Sequence, residues 1–164
     1  MLILLASIIT AHAEEIKIKY HWEASPTIEI CPNTNVTVEE VKDVLEYWEA
    51  EGVDTNYLNI QKVRHCINKK EKTIQLINET PSDSNSLANT TVGWYYYENY
   101  PSKKYFDFAK IQIPNHVEND RFHILTHEIG HALGLGHSNH KIMNPSIKLI
   151  ILSKIGKRTP QFLC

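Results

Sequence analysis

The sequence predicts one α+β domain, a layered sandwich of strands with two main helices. Three observations predict it. Short runs with a two-residue hydrophobic period recur along the chain, two other stretches carry a helical period, and no repeat or linker divides the 164 residues. A chain of this length is near the modal domain size and can bury a real core. With 42% hydrophobic and 22% charged residues, it has the composition of an ordinary globular protein.

The elements follow in order. Glu15–Trp22 alternates Ile16, Ile18, Tyr20 and Trp22 with Lys17, Lys19 and His21, the pattern of a half-buried strand. Pro26–Cys31 is a short extended piece, expected at a sheet edge or in a loop because proline cannot donate to a ladder. Thr37-Val-Glu-Glu40 is a capping box; Val41, Leu45 and Trp48 follow at helical spacing and Gly52 ends the run. This predicts a first helix over about 38–51 with Trp48 in the core. Tyr57–Val63 and Thr73–Ile77 read as strands, with Asn68–Lys72 a solvated turn between them rather than a functional basic patch. Pro81–Asn89 is rich in Ser, Asn and Asp and should be a surface loop. Thr91–Tyr97 is β-prone, Asn99–Lys104 turns it round, and Tyr105–Ile113 is the next strand, closed by Pro114-Asn115. Asn119 or Asp120 then caps a second helix over about 120–133.

The ends and the cysteines point to export. Leu2–Ile9 is apolar and leads to Ala11-His-Ala13, an A-x-A cleavage pattern, so residues 1–13 are expected to be a signal peptide and 14–164 the mature domain. No Lys or Arg precedes the run, and a buried first strand of a cytosolic protein is the competing reading. The run is too short to span a bilayer, so no stable membrane anchor is expected. Of three cysteines, Cys31 and Cys66 are the expected disulfide and Cys164 the odd one; none has the C-x-x-C spacing of a metal site. A net charge of −2 points away from nucleic acid as a partner.

The second helix carries the chemistry, in His127-Glu-Ile-Gly-His131-Ala-Leu-Gly134-Leu-Gly-His137. Residues four apart share a helix face about 6 Å apart along the axis, so His127 and His131 can point at one metal ion. Glu128 flanks that position without being a ligand. Gly134 can end the helix in the left-handed conformation and let the chain return His137 as a third ligand. Three neutral histidines with one open position is the layout of a catalytic zinc rather than a structural one. His123 lies one turn earlier, about 6 Å along the axis, and is not expected to bind. His116 and His140 are expected at the surface, and His21 and His65 far from the motif.

With Met143 following in Ile-Met-Asn-Pro, this extended motif resembles the metzincin metallopeptidases. Ser138 and the run Ala-Leu-Gly-Leu-Gly-His-Ser are similar to the matrixin branch. The matched core is 127–145, with a looser likeness in element order over about 16–147. The resemblance implies a twisted, mostly parallel sheet with one antiparallel edge strand. Val92–Tyr97 would form that strand, with Val92, Gly93, Trp94 and Tyr95 as the substrate rim, and Lys110–Ile113 the last parallel strand. Met143 would be the hydrophobic floor under the histidines and Pro145 would fix the turn. The implied protein is a secreted zinc-dependent endopeptidase, its partners protein or peptide substrates, with one catalytic Zn2+ and Glu128 as general base to a metal-activated water. A monomer is expected. No zinc-blocking cysteine motif occurs, so latency by a cysteine switch is not expected. The stretch 78–115 has no histidine, which rules against a second, structural zinc there, and its sparse acidic residues (Glu79, Asp83, Glu98, Asp107) argue against calcium. The specificity-pocket wall falls within Asn144–Leu152, and Lys148–Lys157 could form a short helix or strand. An inactive zinc-binding module, or an envelope or virion structural protein keeping the fold, are the alternatives.

Overall fold

The computed structural model describes Ile18 and residues 21–82, 87–97, 100–117 and 120–145. Its elements are β1 (His21–Trp22), β2 (Thr27–Ile30), α1 (Val38–Ala50), β3 (Asn59–Lys62), β4 (Thr73–Ile77), β5 (Asn89–Tyr97), β6 (Tyr100–Gln112) and α2 (Arg121–Ala132). The six strands form one sheet. β3, β2, β4 and β6 run parallel side by side, and β1 adds a short parallel pairing to Tyr105–Phe106 of β6. β5 pairs antiparallel along β6, on the edge opposite β4. The expected mostly parallel sheet with an antiparallel edge strand is therefore present.

Register decides which residues make the core. Ile28, Ile74 and Ala109 stand abreast, as do Ile30, Leu76 and Ile111, and all six are buried. Their cluster includes Val41, Val44, Leu45 and Trp48 of α1 and Leu125, Ile129 and Ala132 of α2. At the alternate strand positions Glu29, Thr73 and Gln75 are buried and polar. There Lys70 forms an ion pair with Glu29, which also accepts from Gln75 Nε2 at 3.0 Å and Gln61 Nε2 at 3.3 Å. Burial alone would raise the Glu29 pKa, but Lys70, Gln75 and Gln61 outweigh it and hold the carboxyl below its ordinary value.

The first helix begins as its capping box requires. Thr37 Oγ1 accepts from Glu40 N at 3.1 Å and Glu40 Oε2 accepts from Thr37 N at 2.7 Å. Trp48 is fully buried, and its Nε1 donates to Thr126 O of α2 at 3.0 Å. Cys31 and Cys66 are disulfide-bonded with Cα atoms 5.7 Å apart.

Several expectations are corrected. Pro26–Cys31 is neither loop nor edge: β2 lies inside the sheet between β3 and β4. Pro26 precedes the first paired residue, so its missing N–H costs no ladder bond. β6 starts at Tyr100, not Tyr105, because pairing with β5 extends through the Pro-Ser-Lys stretch read as a turn. Asp120 does precede α2, but with φ +66° and no side-chain capping bond. Ile18, expected on the buried side, is 42% exposed and bridges antiparallel to Leu135. The solvated Asn68–Lys72 turn is present as expected, with Lys69 and Lys72 at positive φ, and from it the exposed Lys70 also reaches in to the buried Glu29. The signal-like segment, Asn119, Lys148–Lys157 and Cys164 lie outside the described residues. Among the described residues no helix is long and apolar enough to cross a membrane.

Candidate metal centre

Two turns of α2 place His127 and His131 on one face, and the helix stops where the third histidine needs it to. Gly134 takes φ +100°, its N–H donates to His131 O at 3.0 Å, and Leu135 N–H donates to Gly130 O at 2.9 Å. These are the two bonds of a Schellman ending, which turns the chain off the helix axis. His137 returns to the cluster three residues on. His131 Nε2 lies 3.0 Å from His127 Nε2 and 3.1 Å from His137 Nε2.

The tautomers follow from the other ring nitrogens. His127 Nδ1 is 2.6 Å from Ile142 O and His131 Nδ1 is 2.9 Å from Leu135 O. A carbonyl can only accept, so each Nδ1 carries the hydrogen and each Nε2 presents a lone pair. Burial lowers the pKa of His127 and pushes that of His131 down to about 4, against the opposing effect of the carbonyl bonds. Both rings are thus neutral near pH 7, the form that binds metal. Bare nitrogens this close repel unless a cation sits among them. Tetrahedral zinc at its usual bond length of about 2.0–2.1 Å would set them about 3.3 Å apart, near what is seen. The donor set fits zinc, and these three histidines are the cluster among the described residues that could hold an ion.

Glu128 is 2% exposed and lies on a cleft of about 360 Å³ together with His131 and His137. Thr90 Oγ1 of β5 is 2.5 Å from Glu128 Oε2 and 3.1 Å from the Glu128 carbonyl. Asn89, Thr90, Val92 and Trp94 form one wall, and Leu135 and Gly136 stand on the cleft as well. Of the expected rim residues, Val92 and Trp94 line the cleft. Gly93 points the other way: a Cβ there would lie 2.1 Å from the Phe108 ring. Tyr95 continues β5 opposite Tyr105. Sequence reading missed Asn89, Thr90 and Phe106 as lining residues. Thr90 was within reach, since it is two before Val92 on an alternating strand.

Met143 is 1% exposed, and Ser138 N donates to Met143 O at 3.0 Å, closing the loop below the histidines. Its sulfur packs where the α2 backbone has no side chain: a Cβ on Gly130 would lie 2.6 Å from Met143 Sδ and 2.7 Å from Trp48 Cζ2. Pro145 closes the described part of this segment, and most of the expected pocket wall, beyond it, lies outside. His123 and His116 are exposed and outside the cluster, as are His21 and His65. His140 is less superficial than expected. Its ring lies 5.7 Å from that of Trp48, and Nε2 is 3.4 Å from Glu51 Oε2.

The peptidase family described as matrixin matches residues 12–156. This chain belongs to the matrixin family. The match spans the sheet, both helices and the histidine cluster, so the matrixin fold and the site belong to one unit of likeness. Membership carries zinc-dependent peptidase chemistry on protein substrates at the level of the family. No curated protein matches this matrixin.

Proposed function

We propose that this matrixin is an exported, monomeric zinc endopeptidase, with His127, His131 and His137 as ligands of one ion and Glu128 as general base. The observation that carries the reading is the approach of His127 Nε2 and His137 Nε2 to within 3.1 Å of His131 Nε2, beside a buried carboxylate that shares a cleft with His131 and His137. A zinc ion held there supplies Lewis acidity and brings the pKa of water near 7. Glu128 takes the proton from the attacking water on its carboxylate and delivers it to the leaving nitrogen. The cleft wall orients the substrate. Among the described residues β5 pairs with β6 alone, so an extended peptide can add to its other edge by main-chain bonds, with Val92 and Trp94 against its side chains. The Cys31–Cys66 bond supports an extracytoplasmic site of action, since disulfides persist in oxidising compartments.

The test measures zinc content and peptide cleavage on the same samples. Glu128→Ala should keep its zinc and lose at least about 10²–10⁴-fold in kcat. Alanine at any of the three ligands should lose metal, and His123→Ala should not. Undiminished cleavage by Glu128→Ala would overturn the general-base assignment. A zinc-loaded, folded wild type inert on varied peptides would favour a binding module instead.

A further inference from the structure

We infer that Thr90 is a positioning residue for the reaction, holding the Glu128 carboxylate in its working orientation; this rests on the general-base reading of Glu128. Thr90 lies on β5, the strand that walls the cleft, and it reaches across to α2. Its hydroxyl has one proton and two acceptors in range: Glu128 Oε2 at 2.5 Å and the Glu128 carbonyl at 3.1 Å. The carboxylate is the nearer, at the length of a charge-assisted O–H···O⁻ bond.

The need for such a bond is conformational. The last torsion of a glutamate joins an sp³ to an sp² carbon and is broad, so burial alone leaves the plane of the carboxylate loosely set. A base must meet the proton it takes within about 2.6–3.2 Å. A donor on Oε2, anchored to another element, fixes that plane. A β-branched residue suits the role because its χ1 is stiff, so the hydroxyl direction is set by the strand backbone. β5 would thus both present its edge to the substrate and align the base, tying substrate geometry to base geometry through one strand.

Thr90→Val keeps the shape and removes only the hydroxyl. In the zinc-loaded full chain it should lower kcat about 10–100-fold, with KM and zinc content near wild type. Thr90→Ser, which keeps the oxygen, should recover most of that loss, while Thr90→Ala should not. A merely structural role would instead lower the melting temperature or the zinc content and leave kcat per bound zinc unchanged. Wild-type kcat in Thr90→Val, or a Thr90→Ser as slow as Thr90→Ala, would overturn the assignment. Glu128→Ala run alongside separates the two failures. If Glu128→Ala is dead and Thr90→Val is fully active, the base reading stands and the Thr90 assignment falls. If Glu128→Ala is active, both fall. Should Thr90→Val fail to fold, the Ser and Ala pair still decides.

Discussion

Gly130→Ala sets two physical effects of opposite sign against each other. In an open helix interior the change stabilises by about 0.8–1 kcal/mol, because alanine is the better helix former. Here the new Cβ would lie 2.6 Å from Met143 Sδ and 2.7 Å from Trp48 Cζ2, closer than real Cβ contacts come. Methionine can rotate away. Trp48 cannot do so cheaply: it has no exposed surface, and its Nε1 is bonded to Thr126 O at 3.0 Å, four residues before Gly130. Overpacking of this kind costs about 1–3 kcal/mol, and two contacts under 3.0 Å put this site in the upper half of that range, so the net effect after the helix gain should be a loss of about 1–2 kcal/mol. For a domain of this size that lowers the melting temperature by about 2–8 °C. Because Gly130 lies between His127 and His131, pushing the helix off its floor should also weaken zinc retention against a chelator. Thermal unfolding and competitive zinc release on purified protein read both. A variant as stable as wild type, or more stable by the helix-propensity gain, would show that Met143 and Trp48 do not form a tight floor.

Three further outcomes are expected. Lys70→Met should destabilise by about 1–3 kcal/mol near neutral pH by removing a partner of the buried Glu29 carboxylate. Since the folded pKa of Glu29 is depressed, its favourable contribution is complete above the ordinary carboxylate pKa and is lost as pH falls through the folded value. The gap between wild type and Lys70→Met in urea melts should therefore shrink in acid; a gap independent of pH would refute the ion-pair account. Replacing Cys31 and Cys66 by Ser should cost about 3–4 kcal/mol on the chain-entropy model, given their separation of 35 residues, and an unchanged denaturation midpoint would count against it. N-terminal sequencing of exported protein should find Glu14 or a near neighbour, whereas recovery of full-length chain only in the cytosol would end the export reading.

What could be read from the sequence depended on whether the determinant was local. The capping box at Thr37–Glu40, the strand at Thr73–Ile77 and the helix end at Gly134 matched because their signals lie within a few residues of where they act. The His127, His131 and His137 cluster was legible for the same reason: helix period and one glycine turn determine most of its geometry. The errors arise where a distant partner decides. β2 is interior because β3 and β4 flank it, which Pro26 cannot reveal. β6 begins early because β5 pairs with it. Glu29, Gln61, Lys70 and Gln75 are scattered along the chain, and only parallel register gathers them. Gly130 lies inside the helical run, and only the placement of Met143 and Trp48 against it shows why a side chain does not fit there.

The same long-range logic explains why the metal centre and the loop after α2 should behave as one cooperative unit. The carbonyls that orient the two helical imidazoles do not come from α2. Leu135 O, which holds His131, belongs to the turn that delivers His137, and Ile142 O, which holds His127, is next to Met143. If the segment 134–143 moved away, both rings would lose the acceptors that determine their tautomer, and the third nitrogen would leave with it. Conversely, an ion bound among the three imidazoles would offset the repulsion of nitrogens that lie 3.0 and 3.1 Å from His131 Nε2, and so would favour the closed loop. Ser138 N to Met143 O closes that loop, and the Gly130 surface gives Met143 its seat. Affinity for the ion and stability of the 134–143 segment are therefore linked quantities, and a substitution in the floor should register at the metal without touching a ligand.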